Sequence, residues 1–128
     1  MRKAIFSKKG PKPKGIYSPA IVAQGPMVFV SGQGPVDPKT SEFVLGSFRE
    51  QAEMTFKNVG ILLKESGASW EEVIKVNVYL ADMANFPAMN EIYQKFFKKP
   101  YPARTTVGAN LGKIDIEVDC VAVLPSKK

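Results

Sequence analysis

Ile114-Asp115-Ile116-Glu117-Val118-Asp119-Cys120-Val121-Ala122-Val123 is the stretch that decides the fold. Alternate residues of an extended chain point to opposite sides. Ile114, Ile116, Val118, Cys120 and Ala122 therefore share one face, and Asp115, Glu117, Asp119, Val121 and Val123 share the other. The first face is apolar throughout and asks for helices to cover it. The second begins acidic and ends apolar. No further helix is predicted to cover it, so the valines favour burial against another subunit. Glu117 would then lie at or near a subunit interface.

Upstream segments supply the two helices. Ala52, Phe56, Val59 and Leu63 fall on one helical face, and Ser47-Phe48-Arg49-Glu50 is a capping box ahead of them. The spacing predicts a helix from about Phe48 to Ser66, with Gly67 as its stop. A second Ser-x-x-Glu, Ser69 to Glu72, caps at most one turn because a strand follows it closely. Phe86, Met89, Tyr93, Phe96 and Phe97 form a second helical stripe that ends before Pro100. Both stripes read as core. Ile74, Val76, Val78 and Leu80 alternate with Val73, Lys75, Asn77 and Tyr79 as a half-buried strand. Thr105-Thr106-Val107 is a β-branched run that reads as a short strand. Residues 2–6 form a possible edge strand, and Pro11 to Gly15 a loop. Ala20 to Gln24 and Met27 to Ser31 are β-type runs separated by Gly25-Pro26, a hairpin signal. Gly32 to Gly46 reads as a long loop with a turn at Asp37-Pro38. The chain has no repeat and no linker, and its 128 residues fit one domain spanning 1–128.

Composition removes several chemistries. There is no histidine and one cysteine, Cys120. Ser-His and Cys-His nucleophile pairs, His-ligated metals and thiolate zinc are thereby excluded. No glycine-rich nucleotide cradle of the common kinds is present. Any chemistry must use carboxylates, Arg, Tyr, hydroxyls and backbone groups. A single cysteine suits the cytoplasm, the expected location. No run of about 18 apolar residues occurs, so no membrane span is expected. The segment from Met1 to Lys8 lacks the features of a secretory signal, and Gly10, Pro11, Pro13 and Gly15 oppose the helix of a transit peptide. Net charge is +6. Arg2, Lys3, Lys8, Lys9, Lys12 and Lys14 cluster at the start, and Lys127 and Lys128 close the chain. Such clusters hold phosphates or simply keep the ends solvated. No aromatic run interleaves with them, so nucleic acid remains a possible partner that is not favoured.

Arg104 stands in Tyr101-Pro102-Ala103-Arg104-Thr105-Thr106-Val107. It lies either on a solvated strand face or against an anion, for which its planar fork suits a small carboxylic acid. Taken alone, Gly32 reads equally as a turn, Asn90 as an exposed residue and Tyr17 as packing.

Read in order, Tyr17-Ser18-x-Ala20, Val30-Ser31-Gly32-Gln33, Val36-Asp37-Pro38, Val73-x-Lys75-Val76-x-Val78-Tyr79-Leu80, Phe86-x-x-Met89-Asn90-x-x-Tyr93, Pro102-Ala103-Arg104 and Ile116-Glu117-Val118 resemble the Rid (YjgF/UK-type) family of reactive imine deaminases. No single piece is specific; their order and spacing are, and they span residues 5–123. The resemblance implies an α+β subunit of chorismate-mutase-like fold, a mixed sheet with two helices on one face, assembled as a homotrimer with sites between subunits. It implies cofactor-independent hydrolysis of 2-imino and enamine acids, such as 2-aminoacrylate and 2-iminobutanoate, to 2-oxo acids and ammonia. It implies that Arg104 holds the substrate carboxylate and Glu117 the attacking water. Tyr17 would close the pocket, Ser31 and Gly32 would give a hydroxyl and close backbone approach, and Asn90 would support the site. Where many deaminase-competent members have Arg-Ser-Cys or Arg-Thr-Cys, this chain has Arg104-Thr105-Thr106. Thr106 retains the backbone carbonyl through which the family's cysteine largely acts. Gly15-Ile16-Tyr17-Ser18-Pro19 places a proline beside the pocket, where it removes a backbone donor. Two other readings stay open: a small-carboxylate sensor without a positioned water, and an RNA-acting or translation-inhibiting protein.

Overall fold

The strand pattern of residues 114–123 is realised at the centre of a sheet. The computed structural model describes residues 1–125, so Lys127 and Lys128 lie outside the described residues. The elements are β1 (Arg2–Ile5), β2 (Ala20–Ala23), β3 (Met27–Gln33), α1 (Phe48–Glu65), β4 (Val73–Leu80), α2 (Phe86–Phe96), β5 (Ala103–Gly108) and β6 (Ile116–Val123). A four-stranded sheet runs in the order β3-β6-β4-β5, and β1 pairs with β2 in a separate two-stranded sheet. β6 is antiparallel to both of its neighbours, whereas β4 and β5 are parallel and joined through α2. The architecture is α+β: a mixed sheet with two helices packed on one face.

The covered face is the one expected. Ile116, Val118, Cys120 and Ala122 of β6 are buried with Val76, Val78 and Leu80 of β4 beneath Ala52, Phe56, Val59 and Leu63 of α1 and Met89, Ile92 and Tyr93 of α2. Burying one such side chain is worth roughly 1.5–3 kcal/mol. The α1 capping box forms as read, Ser47 Oγ accepting from the Glu50 N–H and Glu50 Oε1 from the Ser47 N–H, each at 3.2 Å. Ser69 to Glu72 gives a single 3-10 turn. Gln51 fixes the approach to β6: its Nε2 donates to Asp115 Oδ2 at 3.0 Å, and the Asp115 N–H donates to its Oε1 at 2.9 Å. That clamp sets where Glu117, two residues on, emerges.

Three local readings are corrected. β2 and β3 do not form a hairpin. The Gln24 carbonyl accepts from the Met1 ammonium at 2.7 Å, and the Pro26 carbonyl accepts from the Leu124 N–H at 2.8 Å, so each strand is claimed by a different partner. In β4 the alternation slips: a register shift between Val73 and Lys75 buries Val73 and leaves Ile74 half-buried. On the second face of β6, Val123 is already buried within the chain, with its Cγ2 3.0 Å from the Cβ position of Gly25. The uncovered apolar surface lies instead on β3, where Phe29, the register partner of Val121, is 73% exposed and Met27 is 52% exposed.

Candidate active site

Register and alternation assign the candidate residues to two faces. Arg104 pairs with Val76 and Thr106 with Val78. Both valines are core residues, so Arg104 and Thr106 belong to the helix-covered face at the β5 edge. Glu117 pairs with Tyr79 on the opposite, open face.

Around Arg104 the environment is built by α2 and by the loop before β2. The Arg104 Nη1 donates to Asn90 Oδ1 at 2.8 Å. Its Cζ lies 4.8 Å from the Tyr93 ring centroid and 5.6 Å from that of Phe86. Burial lowers the guanidinium pKa, opposed by Tyr93 and Tyr17. An arginine nonetheless stays cationic. Tyr17 is carried to this edge by Ser18, whose N–H donates to the Pro102 carbonyl at 3.2 Å and whose Oγ donates to the Tyr101 carbonyl. The Tyr17 hydroxyl accepts from the Lys14 N–H at 3.2 Å. Thr106 Oγ1 is buried without a hydrogen-bond partner. Among the described residues the ion pairs are Arg49–Glu91 and Lys95–Glu53, so no carboxylate neutralises Arg104.

Glu117 sits against a bulge. The β3–β6 register shifts between Val30 and Gln33, which places Ser31 and Gly32 at the irregularity. A Cβ on Gly32 would lie 2.7 Å from Glu117 Oε2 and 2.9 Å from Cδ, so only glycine admits the carboxylate at this distance. Bulges recur next to active sites because they re-aim side chains. Nearby on the same face, Asn77 Nδ2 donates to Asp119 Oδ1 at 2.9 Å, and Asp119 pushes the Tyr79 phenol pKa up.

The structure thus gathers Arg104, Asn90, Thr106 and Tyr17 at the β5 edge, and Ser31, Gly32 and Glu117 on the open face of β3 and β6. It does not bring the two groups together on one face of one chain. A cavity of about 980 Å³ lined by Lys8, Lys12, Tyr17, Lys99 and Tyr101 touches the first group only through Tyr17. Neither Arg104 nor Glu117 lines it, so volume alone does not locate the chemistry. Among the described residues no group of three or more His, Cys, Asp or Glu is placed to hold a metal ion. Among the described residues no helix is long and apolar enough to cross a membrane.

The chain has known counterparts in sequence and in fold. The family described as Endoribonuclease L-PSP matches residues 7–124. A RutC family protein of Pyrococcus abyssi is 41% identical over 122 residues, which cover 95% of each chain. The 2-iminobutanoate/2-iminopropanoate deaminase of Dermatophagoides farinae is 36% identical over 125 residues, 96% of this chain and 97% of that one. Among solved structures, E. coli TdcF with bound serine superposes with a TM-score of 0.72 at 32% identity, covering 96% of this chain and 99% of that one. The chain belongs to the Endoribonuclease L-PSP family, which includes the Rid (YjgF/RutC) proteins.

Proposed function

We propose that this protein hydrolyses reactive 2-imino and enamine acids, such as 2-aminoacrylate and 2-iminobutanoate, to 2-oxo acids and ammonia, at sites shared between subunits of a homotrimer. The observation that carries this reading is the Arg104 guanidinium, half-buried, oriented by Asn90, and without a carboxylate of its own. A desolvated guanidinium in a fixed pose favours a planar anion, and a carboxylate fits its fork. The name of the Dermatophagoides farinae relative supports imine hydrolysis. The serine in the E. coli structure supports a ligand that carries a carboxylate.

Arg104 would hold the substrate carboxylate and thereby place the imine carbon. Glu117 would hold a water against that carbon and accept its proton as the C–O bond forms, giving a carbinolamine. Protonation of the nitrogen and collapse of the carbinolamine would release ammonia and leave the 2-oxo acid. The net reaction consumes one water and needs no redox partner. Ser31 and the Gly32 backbone lie beside Glu117 and would line this half of the pocket. The Thr106 carbonyl and the Tyr17 ring would line the other. Because the two groups occupy opposite faces of one sheet, a complete pocket would take Arg104 from one subunit and Glu117 from another.

A pyridoxal-phosphate dehydratase acting on serine or threonine generates the imine for the test, and 2-oxo acid formation is followed with and without this protein. Acceleration that is lost in Arg104→Ala and in Glu117→Gln is expected. Binding of 2-oxobutanoate without any acceleration would support a carboxylate sensor instead. The family description also includes endoribonuclease, and Lys8, Lys12 and Lys99 line one cavity without ion-pair partners among the described residues. RNA cleavage in the absence of any imine hydrolysis would favour that second reading.

A further inference from the structure

Three side chains of α2 converge on one guanidinium, more than a carboxylate anchor needs for its charge. Phe86, Asn90 and Tyr93 stand at i, i+4 and i+7, which is a single face of the helix. Asn90 takes Nη1. The Tyr93 ring lies closest to Cζ at 4.8 Å, and the Phe86 ring at 5.6 Å. Tyr93 is fully buried, yet its hydroxyl has no hydrogen-bond partner. The hydroxyl therefore does not tie Tyr93 to Arg104. What Tyr93 offers is the face of its ring, on which a guanidinium packs by cation–π attraction and plane-to-plane contact.

An arginine side chain free to rotate would lose much of its rotamer entropy on gripping a ligand. Here α2 itself supplies contacts that order the guanidinium. Asn90 occupies one N–H of Nη1, and the guanidinium makes no other hydrogen bond among the described residues. The Nε and Nη2 edge is left for a bidentate acceptor. A site built on a helix and a strand holds such a pose better than one built on loops.

We infer that Phe86, Asn90 and Tyr93 form a cradle that sets the direction of the Arg104 fork, and that Tyr93 is a positioning residue of this site acting through its ring. The inference rests on the carboxylate-anchor reading of Arg104. It goes beyond that reading by assigning the orientation of the fork to α2 rather than to the strand that carries it.

Calorimetric titration with 2-oxobutanoate tests it. Tyr93→Phe keeps the ring and is expected to bind within about twofold of the unmodified protein. Tyr93→Leu and Phe86→Leu are expected to weaken Kd by about threefold to thirtyfold, the range of a cation–π contact that is partly to fully desolvated. In an Arg104→Gln background, where no cation remains over the ring, Tyr93→Leu should change the residual Kd by less than about twofold. Ile92→Ala, equally buried on α2, controls for simple loosening of the helix: it should lower Tm and leave Kd unchanged. Should Tyr93→Leu fail to fold, the half-buried Phe86→Leu decides. If both leucine variants bind normally while Arg104→Ala loses binding, the cradle is wrong and the anchor stands. Normal binding by Arg104→Ala overturns the cradle and the proposed function together.

Discussion

Arg104 uses one N–H on Asn90 and leaves the others uncommitted, in surroundings that have stripped away part of its water. Arg104→Ala is therefore expected to cut kcat/KM for imine hydrolysis by tens to thousands of fold, about 2–5 kcal/mol of lost transition-state stabilisation. Arg104→Lys should also be poor, since an ammonium lacks the fork. The coupled dehydratase assay reads both, and near-normal activity in Arg104→Ala would remove its role as anchor. For Glu117→Gln the expectation differs: 2-oxobutanoate still binds, but turnover falls by about 10²–10⁴, because an amide accepts no proton from water. The candidate roles of Arg104 and Glu117 come from residue type and from the family motifs. Tyr93 was not legible in this way, because an aromatic stripe at helical spacing reads as core. Tyr93 is indeed core, and its second contact depends on a strand eleven residues later in the chain.

Between elements, α1 meets the turn before β4 at close range. Gly60 faces Trp70, and a Cβ there would lie 2.8 Å from Cζ2 of the indole. Trp70 is itself held against Phe97, with ring centroids 5.0 Å apart, and Phe96, at 5.2 Å, so the ring has little freedom to yield. Gly60→Ala gains about 1 kcal/mol of helix propensity but faces an overpacking cost of about 1–3 kcal/mol. The expected net effect is a loss of stability, seen as a lower urea midpoint; a higher midpoint would mean that the indole moves freely. The helices themselves were readable because capping boxes and apolar spacing are local signals. The supposed hairpin at Gly25-Pro26 and the phase of Ile74 were misread because strand pairing is not local. The preference of β2 for β1, and the shift at Val73, are set by partners far away in the chain.

For the molecule as a whole, the two candidate clusters on opposite sheet faces lead to a complementation test. Arg104→Ala and Glu117→Gln variants, each expected to be inactive, are mixed under conditions that let the subunits of the proposed homotrimer exchange. Sites that draw Arg104 and Glu117 from different chains should recover activity in about a quarter of positions under random exchange. Sites within one chain would recover none. Light scattering checks the proposed homotrimer: the unmodified protein should show the trimer mass, and Phe29→Asp, which puts a charge on the exposed β3 face, should shift it toward the monomer mass, whereas a monomer in the unmodified protein would overturn the shared site. Stability should also fall at alkaline pH. Burial, aided by Asp119, pushes the Cys120 thiol pKa up from 9.0 to about 12. Below pH 9 the thiol is neutral in both folded and unfolded chains and contributes no pH dependence. From pH 9 toward 12 the unfolded chain loses a proton that the folded chain keeps, so stability drops by up to about 1.4 kcal/mol per pH unit. Urea melts between pH 8 and 10, below the range in which the buried Tyr93 phenol adds its own slope, should show this fall, and Cys120→Ala should reduce it. An unchanged slope would mean that Cys120 is not the group responsible.

The alternation of residues 114–123 and the two helical stripes determined the covered sheet face, because those signals repeat within a few residues; composition determined the residue types available for chemistry, and the family resemblance pointed to the α+β class. The family motifs pointed to Arg104 and Glu117. Only the tertiary structure decided that these two lie on opposite faces of one sheet, that Gly32 makes room for the Glu117 carboxylate, and that α2 holds the Arg104 guanidinium. Each of those facts joins segments from 11 to 85 residues apart, and a contact across such a distance depends on strand register and helix docking, which no short window of sequence contains.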